Sequence, residues 1–188
     1  TTHLDVVRRA ARAGKNVLVE KPVEVTYARA KEVVETCREA GVTLAVCLQH
    51  RYRPSGRKLA AMLAAGELGK IVSCSAHARM WRPQTYYDEP GRGTLARDGG
   101  GVLLTQAIHT LDIMLMLGGP FESVNSFSTT TPVHRMETED LVCAAVKFRN
   151  GALGVVEATT AAYPGYAETV EIIAEKEVPF GTNTVVTI

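Results

Sequence analysis

The chain has 188 residues, 46% of them hydrophobic and 22% charged, with a formal net charge of +1. That length supports one large domain or two small ones with a real core. The near-neutral balance gives no broad field to gather nucleic acid or an anionic membrane surface, so neither partner is expected.

The first half alternates helix and strand. Thr2 is an N-cap candidate for a helix through His3 to Ala13, closed by Gly14. Residues Asn16 to Glu20 form a short apolar strand of the kind found in a parallel sheet covered on both faces. Thr26 can cap a second helix ending near Ala40 and Gly41, and Val42 to Leu48 is a second such strand. Helix and strand in this order make a right-handed crossover unit, the remnant of an open α/β sheet. Ser55 to Ala65 reads as a third helix, with Gly66 and Gly69 at its exit.

From Lys70 the pattern changes. Ile71 to Met80 alternates as a half-exposed strand, and Met80 to Gly101 is a long irregular stretch rich in Trp, Tyr, Arg, Pro and Gly. A loop of that length within a compact domain is usually functional or mobile. A helix is expected over Val102–Leu117, then strands near Val124–Thr130, Leu141–Phe148, Leu153–Ala161, Thr169–Ala174 and Val185–Ile188. Arg149-Asn150-Gly151 is a hairpin signal between the second and third of these. The fold class is therefore α/β plus α+β: a partial Rossmann-like parallel sheet, then an α/β domain with a large, mainly antiparallel open sheet. The division falls between residues 1–48 and 49–188.

Cys37, Cys47, Cys74 and Cys143 are scattered, with no Cys-x-x-Cys and no histidine at ligand spacing. A reduced, cytoplasmic setting is the default, and neither a disulfide framework nor a metal site is indicated. No signal peptide is expected, and no apolar run is long enough to span a bilayer; Thr105, His109 and Asp112 interrupt the closest one.

Two places carry chemistry. Lys21 ends an apolar strand, and Pro22 biases it away from helical backbone, so its side chain leaves the carboxyl edge of the sheet. Ligands of open α/β sheets bind at that edge; a surface lysine at a strand-to-helix turn is the plainer alternative. In the helix after Gly99-Gly100-Gly101, Thr105, His109 and Asp112 fall within about 60° of one another. A polar ridge on a buried helix is costly unless hydrogen-bonded or functional. Asp112 can hold one nitrogen of His109 and leave the other for substrate, or bond nearby backbone; a satisfied core histidine is the alternative. The glycine triplet suits close backbone approach to a ligand. Trp81, Tyr86, Tyr87 and Arg92 suit the wall of a polar-ligand pocket, or simple loop packing. Arg51 with Arg53, Arg79 with Arg82, and Arg92 with Arg97 are solvated edges or contacts to an anionic or polyhydroxyl ligand.

The run from Thr2-His3 through Gly14-Lys15-Asn16-Val17-Leu18-Val19-Glu20-Lys21-Pro22 resembles the Gfo/Idh/MocA family of NAD(P)-dependent oxidoreductases. So do Arg51-Tyr52-Arg53-Pro54, Gly66-Glu67-Leu68-Gly69, the glycine triplet with His109 and Asp112, and Leu117-Gly118-Gly119. The resemblance extends to about Lys176. It implies NAD or NADP as cofactor and hydride transfer between nicotinamide and a sugar, polyol or related alcohol or ketone. Lys21, His109 and Thr105 are then catalytic, with Lys21 and His109 in proton transfer. Glu20, Lys21 and Pro22 lie at the cofactor, and Arg92, Trp81 and Asp112 at the substrate. A cis bond before Pro22 and a homo-oligomer, dimer or tetramer, through the open sheet are also implied.

Two departures stand out. Where the family usually has Asp or Asn four residues before the histidine, this chain has Thr105. No Gly-x-Gly-x-x-Gly precedes the Val17 strand, so the sequence offers no evident pyrophosphate cradle. A non-catalytic relative that keeps the sheet domain for self-association or sugar binding is the competing expectation.

Overall fold

The computed structural model describes residues 3–176 and 185–187. The proposed cap Thr2 and residues 177–184 lie outside them.

Helix α1 (His3–Arg12) buries Leu4, Val7 and Ala11, spaced to lie on one helical face. Strand β1 (Val17–Glu20) pairs in parallel, through helix α2 (Tyr27–Glu39), with β2 (Leu44–Cys47). Thr26 caps α2 by accepting from the Arg29 amide, as expected. Both helices pack on the same face of the pair, where Leu4, Val7, Val19, Val33 and Cys37 form a small core. The expectation of cover on both faces is corrected here. No helix among the described residues lies on the opposite face, and Leu18 is 71% exposed.

A 3-10 turn (Gln49–Tyr52) leads to α3 (Pro54–Ala64), which starts on a proline whose missing N–H costs nothing in the first turn. Strand β3 (Ile71–Arg79) follows. The stretch from Met80 to Gly101, read from sequence as irregular, contains two short helices, α4 (Gln84–Tyr87) and α5 (Leu95–Asp98). Each is four residues long, too short for apolar periodicity to reveal. The expected Val102–Leu117 helix is split into α6 (Val102–Thr105) and α7 (Ile108–Gly118). The axes of Leu95–Thr105 and Ile108–Gly118 differ by 48°.

The remaining strands are β4 (Phe121–Thr129), β5 (Leu141–Phe148), β6 (Leu153–Thr159), β7 (Thr169–Ala174) and β8 (Val185–Thr187). With β3 they form a six-stranded sheet in the order β4-β5-β6-β3-β7-β8. Only β3 and β6 run parallel; the other neighbours are antiparallel. The Arg149-Asn150-Gly151 turn joins β5 to β6, and Gly151 takes a φ of +90° there.

One face of this sheet holds the main core. Cys74, Ala76, Val146, Phe148, Val156, Val170 and Ile172 pack against Ile113, Met114 and Leu117 of α7 and Leu59 of α3. The other face is open: Phe127 is 88% exposed, and Leu153, Val155 and Ile173 are also exposed. Among the described residues no single helix is long and apolar enough to cross a membrane, and the four cysteines are free.

Gly154 on β6 packs against the backbone of β3. A Cβ at that position would fall inside contact distance of the Cys74 carbonyl oxygen. Gly154→Ala is expected to cost about 1–3 kcal/mol, the usual price of overpacking a well-filled core. Chemical denaturation of the two chains measures it; an unchanged midpoint would mean that the strands separate freely.

Candidate functional site

Lys21 stands at the carboxyl end of β1, followed by a cis peptide bond to Pro22. Its turn is held from below by Glu24, which is 4% exposed. That carboxylate accepts from the Leu4 amide, at the start of α1, and from its own neighbour Val25. It also receives the Arg29 guanidinium from α2. Four donors on one buried carboxylate fix the residues after Lys21 with respect to both helices.

Lys21 Nζ donates to the Thr105 carbonyl oxygen at 2.9 Å. In an unbroken helix that oxygen would accept from the His109 amide. Instead Ala107 N bonds back to Val102 O, and α6 ends. The lysine therefore sits at the helix break, and the two features explain each other. The Thr105 hydroxyl donates to Gly101 O at 2.7 Å, so Thr105 presents its carbonyl, not its hydroxyl, to Lys21. The single-face alignment of Thr105, His109 and Asp112 assumed one continuous helix and is corrected by the break.

Above Lys21 lies an open cavity of about 230 Å³. Lys21, Pro22, Thr105 and Gly101 form one side, Tyr86 and Arg92 another, and Met136 and Thr138 a third. The Tyr86 hydroxyl accepts from Arg92 at 2.7 Å and from the Gln106 amide at 3.0 Å, which leaves its own proton free to donate. Arg92 stacks on the Tyr86 ring at 4.1 Å and pairs with Glu89.

The other expected residues are placed differently. Trp81 is not in the cavity wall; its ring packs edge-on against Tyr163 at 5.5 Å and near His134. Asp112 does not hold His109: Arg51 takes both its oxygens at 2.6 Å. Glu20 is an exposed residue at the end of β1, paired in register with Cys47. The glycine triplet serves packing, since a Cβ on Gly99 would meet the Val25 backbone and one on Gly101 the Glu139 carbonyl. Gly100 and Gly101 do line the cavity.

His109 lies outside the cavity wall and is 7% exposed. Its Nδ1 is buried with no hydrogen-bond partner among the described residues. Burial pushes its pKa below the ordinary 6.5, the positive charge of Lys21 and the neighbouring His50 push it further, and Glu168 and Asp112 oppose them. His50 lies against it with ring centroids 4.5 Å apart and ring planes inclined at 31°. His50 is lowered too, by burial first and then by Arg53 and Lys21. Both imidazoles are therefore favoured in their neutral forms.

Sequence reasoning missed His50, Glu168 and a buried pair, His134 with Asp140. His50 adjoins the Arg51-Tyr52-Arg53-Pro54 motif and could have been noticed. Nothing local marks Glu168. In the pair, both side chains are 0% exposed and His134 Nδ1 lies 2.6 Å from Asp140 Oδ2. The other ring nitrogen meets the Arg82 carbonyl at 2.8 Å, so Nε2 carries a proton. Asp140 also accepts from the Thr131 amide and hydroxyl, each at 2.6 Å. This cluster pins the 130–140 segment, which delivers Met136 and Thr138 to the cavity.

Comparison with known proteins agrees with this architecture. The oxidoreductase family with an NAD-binding Rossmann fold matches residues 1–48, and the GFO/IDH/MocA C-terminal domain matches residues 57–178. Myo-inositol 2-dehydrogenase of Thermotoga maritima is 26% identical over 188 residues, 97% of this chain and 54% of that protein. The crystal structure of the WlbA dehydrogenase from Bordetella pertussis, in complex with NADH and UDP-GlcNAcA, superposes with a TM-score of 0.87. It is 34% identical, covering 93% of this chain and 55% of that one. A levoglucosan dehydrogenase in complex with NADH and levoglucosan gives a TM-score of 0.84 at 26% identity, covering 93% of this chain and 50% of the other. The chain spans about half the length of the curated relatives it matches. With both halves matched in order and the fold shared, the chain belongs to the Gfo/Idh/MocA family of NAD-binding oxidoreductases.

Proposed function

We propose that the protein is an NAD(P)-dependent oxidoreductase that moves hydride between nicotinamide and a sugar, polyol or related alcohol or ketone. The observation that carries this reading is Lys21: an ammonium fixed at 2.9 Å from the Thr105 carbonyl, at the carboxyl edge of a parallel pair and in the wall of a cavity. That edge is where open α/β sheets bind nucleotides. Lys21 and Pro22 fit the nicotinamide end of the cofactor. The described residues offer no glycine-rich pyrophosphate cradle.

Bound nicotinamide supplies the acceptor for a hydride and its electron pair. Lys21 donates a hydrogen bond to the substrate oxygen and steadies the negative charge that develops on it. His109, held neutral by burial, takes the hydroxyl proton in the oxidative direction and returns it in the reductive one. Arg92 and the Tyr86 hydroxyl orient the rest of a polyhydroxyl substrate. The neighbours' substrates, levoglucosan and UDP-GlcNAcA, support the sugar class.

Residues 1–48 form the nucleotide-binding part in this reading, and 49–188 the substrate and self-association part. The open sheet face with Phe127, Val155 and Ile173 is assigned to a homo-oligomer contact. Four free cysteines accord with a reducing cytoplasm.

The test is dinucleotide reduction by the full protein across a panel of sugars and polyols, with fluorescence titration of NADH and NADPH alongside. Turnover is expected, and the acidic limb of kcat/KM for oxidation should fall below pH 6.5, because His109 stays neutral there. Neither binding nor turnover would favour a non-catalytic relative that keeps the sheet domain.

A further inference from the structure

His109 does not stand alone. The 3-10 turn before α3 brings His50 onto it, and the segment before β7 brings Glu168 beside both. An arginine can only donate, so Arg53, 3.0 Å from His50 Nε2, makes that nitrogen an acceptor and leaves the ring proton on Nδ1. His50 Nδ1 is buried, has no hydrogen-bond partner among the described residues, and faces Glu168 Oε2 at 3.8 Å. The same carboxylate oxygen accepts from the Thr110 hydroxyl at 2.8 Å. Thr110 is the residue after His109 on α7, so the carboxylate is tied to the element that carries His109 and turned toward His50.

The other groups facing His109 do not supply this charge. Lys21, at the end of β1, is positive, and so is Arg53 behind His50. Asp112, on α7, is held in two bonds by Arg51, and the hydroxyl of Thr105 is engaged by Gly101 O. Glu168 opposes the effects that keep His109 and His50 neutral, ahead of Asp112 in each case.

We infer that Glu168 is the positioning carboxylate of the His50–His109 pair, facing His50 Nδ1 across 3.8 Å and compensating the positive charge when His109 takes up a proton. The inference rests on the proton-transfer role proposed for His109, but its physical content, a charge acting on two adjacent imidazoles, can be measured without turnover. Glu168 is a positioning residue: it acts through the histidines and touches no cavity wall.

Glu168→Gln is the variant to make. The amide oxygen can still accept from Thr110, so the tie between α7 and the segment before β7 survives while the charge is lost. Imidazole titration by NMR in the full chain is expected to show the His109 and His50 midpoints falling by roughly one pH unit, the usual effect of removing a neighbouring carboxylate. The acidic limb of kcat/KM should move down with them. Thr110→Val keeps the charge but frees its orientation, so a smaller fall is expected. Glu168→Asp should restore part of the shift. Midpoints unchanged in Glu168→Gln would overturn the inference and leave Glu168 a structural tie. The two readings fail separately. An active enzyme with unchanged midpoints removes Glu168 alone, whereas a chain without turnover whose midpoints fall removes the proposed reaction alone.

Discussion

Lys21→Met should lower kcat of the full protein by about 10²–10³-fold, the range for losing a donor aimed at charge that develops in the transition state. The substitution keeps an unbranched, flexible side chain one atom shorter and removes three donors and the charge. The Thr105 carbonyl then loses its 2.9 Å partner, and a substrate oxygen loses the donor that steadies it. Lys21→Arg is a poor substitute, because a planar fork cannot take the place of a compact ammonium at one carbonyl and one substrate oxygen. His109→Asn should fall in the same range. The double variant should lose little more than either single one, since groups that act as a unit are not additive. Steady-state kinetics with a melting curve for each variant checks this. Lys21→Met with kcat within twofold of the parent would remove the lysine from the mechanism.

The second large effect concerns stability. Asp140→Ala should cost about 3–5 kcal/mol, as expected when one partner of a fully buried pair is removed. Asp140 receives three donors: His134 Nδ1 and the amide and hydroxyl of Thr131. The His134 donor cannot turn to water, because the side chains of His134 and Asp140 are wholly enclosed. The damage should reach the cavity. Thr138, two residues before Asp140, bonds the Gly93 carbonyl through its amide and its hydroxyl, and Thr138 and Gly93 both line the cavity. Urea denaturation measures the stability, and substrate KM reads the loosened wall. A variant as stable as the parent would mean that the 130–140 segment is held by other contacts.

Much of the site was legible because it is local. The β1 strand, the lysine before a proline and the helix carrying His109 each announce themselves within a dozen residues. What was misjudged depends on partners far away in sequence. The carbonyl freed by the break after Thr105 is met by a lysine 84 residues earlier. Asp112 faces Arg51, 61 residues away, rather than the histidine one turn before it. Thr110 and Glu168 are separated by 58 residues. Spacing on an ideal helix has no means of registering such contacts. The same limit explains Trp81: an aromatic residue in a long loop suits a pocket wall or a packed cluster equally well, and the sheet edge decides between them. The uncovered face carrying Leu18 differs again, because cover depends on a neighbour and not on the strand itself.

The strand order also sets the tempo at which this molecule can assemble. Its central strand, β3, is synthesised early, yet one neighbour lies 80 residues further on, as the bond between Val155 and Ser75 records. At its other edge, Lys70 meets Glu175 across 105 residues. Loop closure over such spans must come before the pairing that rewards it. On the ribosome the backbone of β3 therefore waits unpaired until β6 and β7 emerge. Gly154, packed against the Cys74 carbonyl, stands at one of the contacts that end that wait.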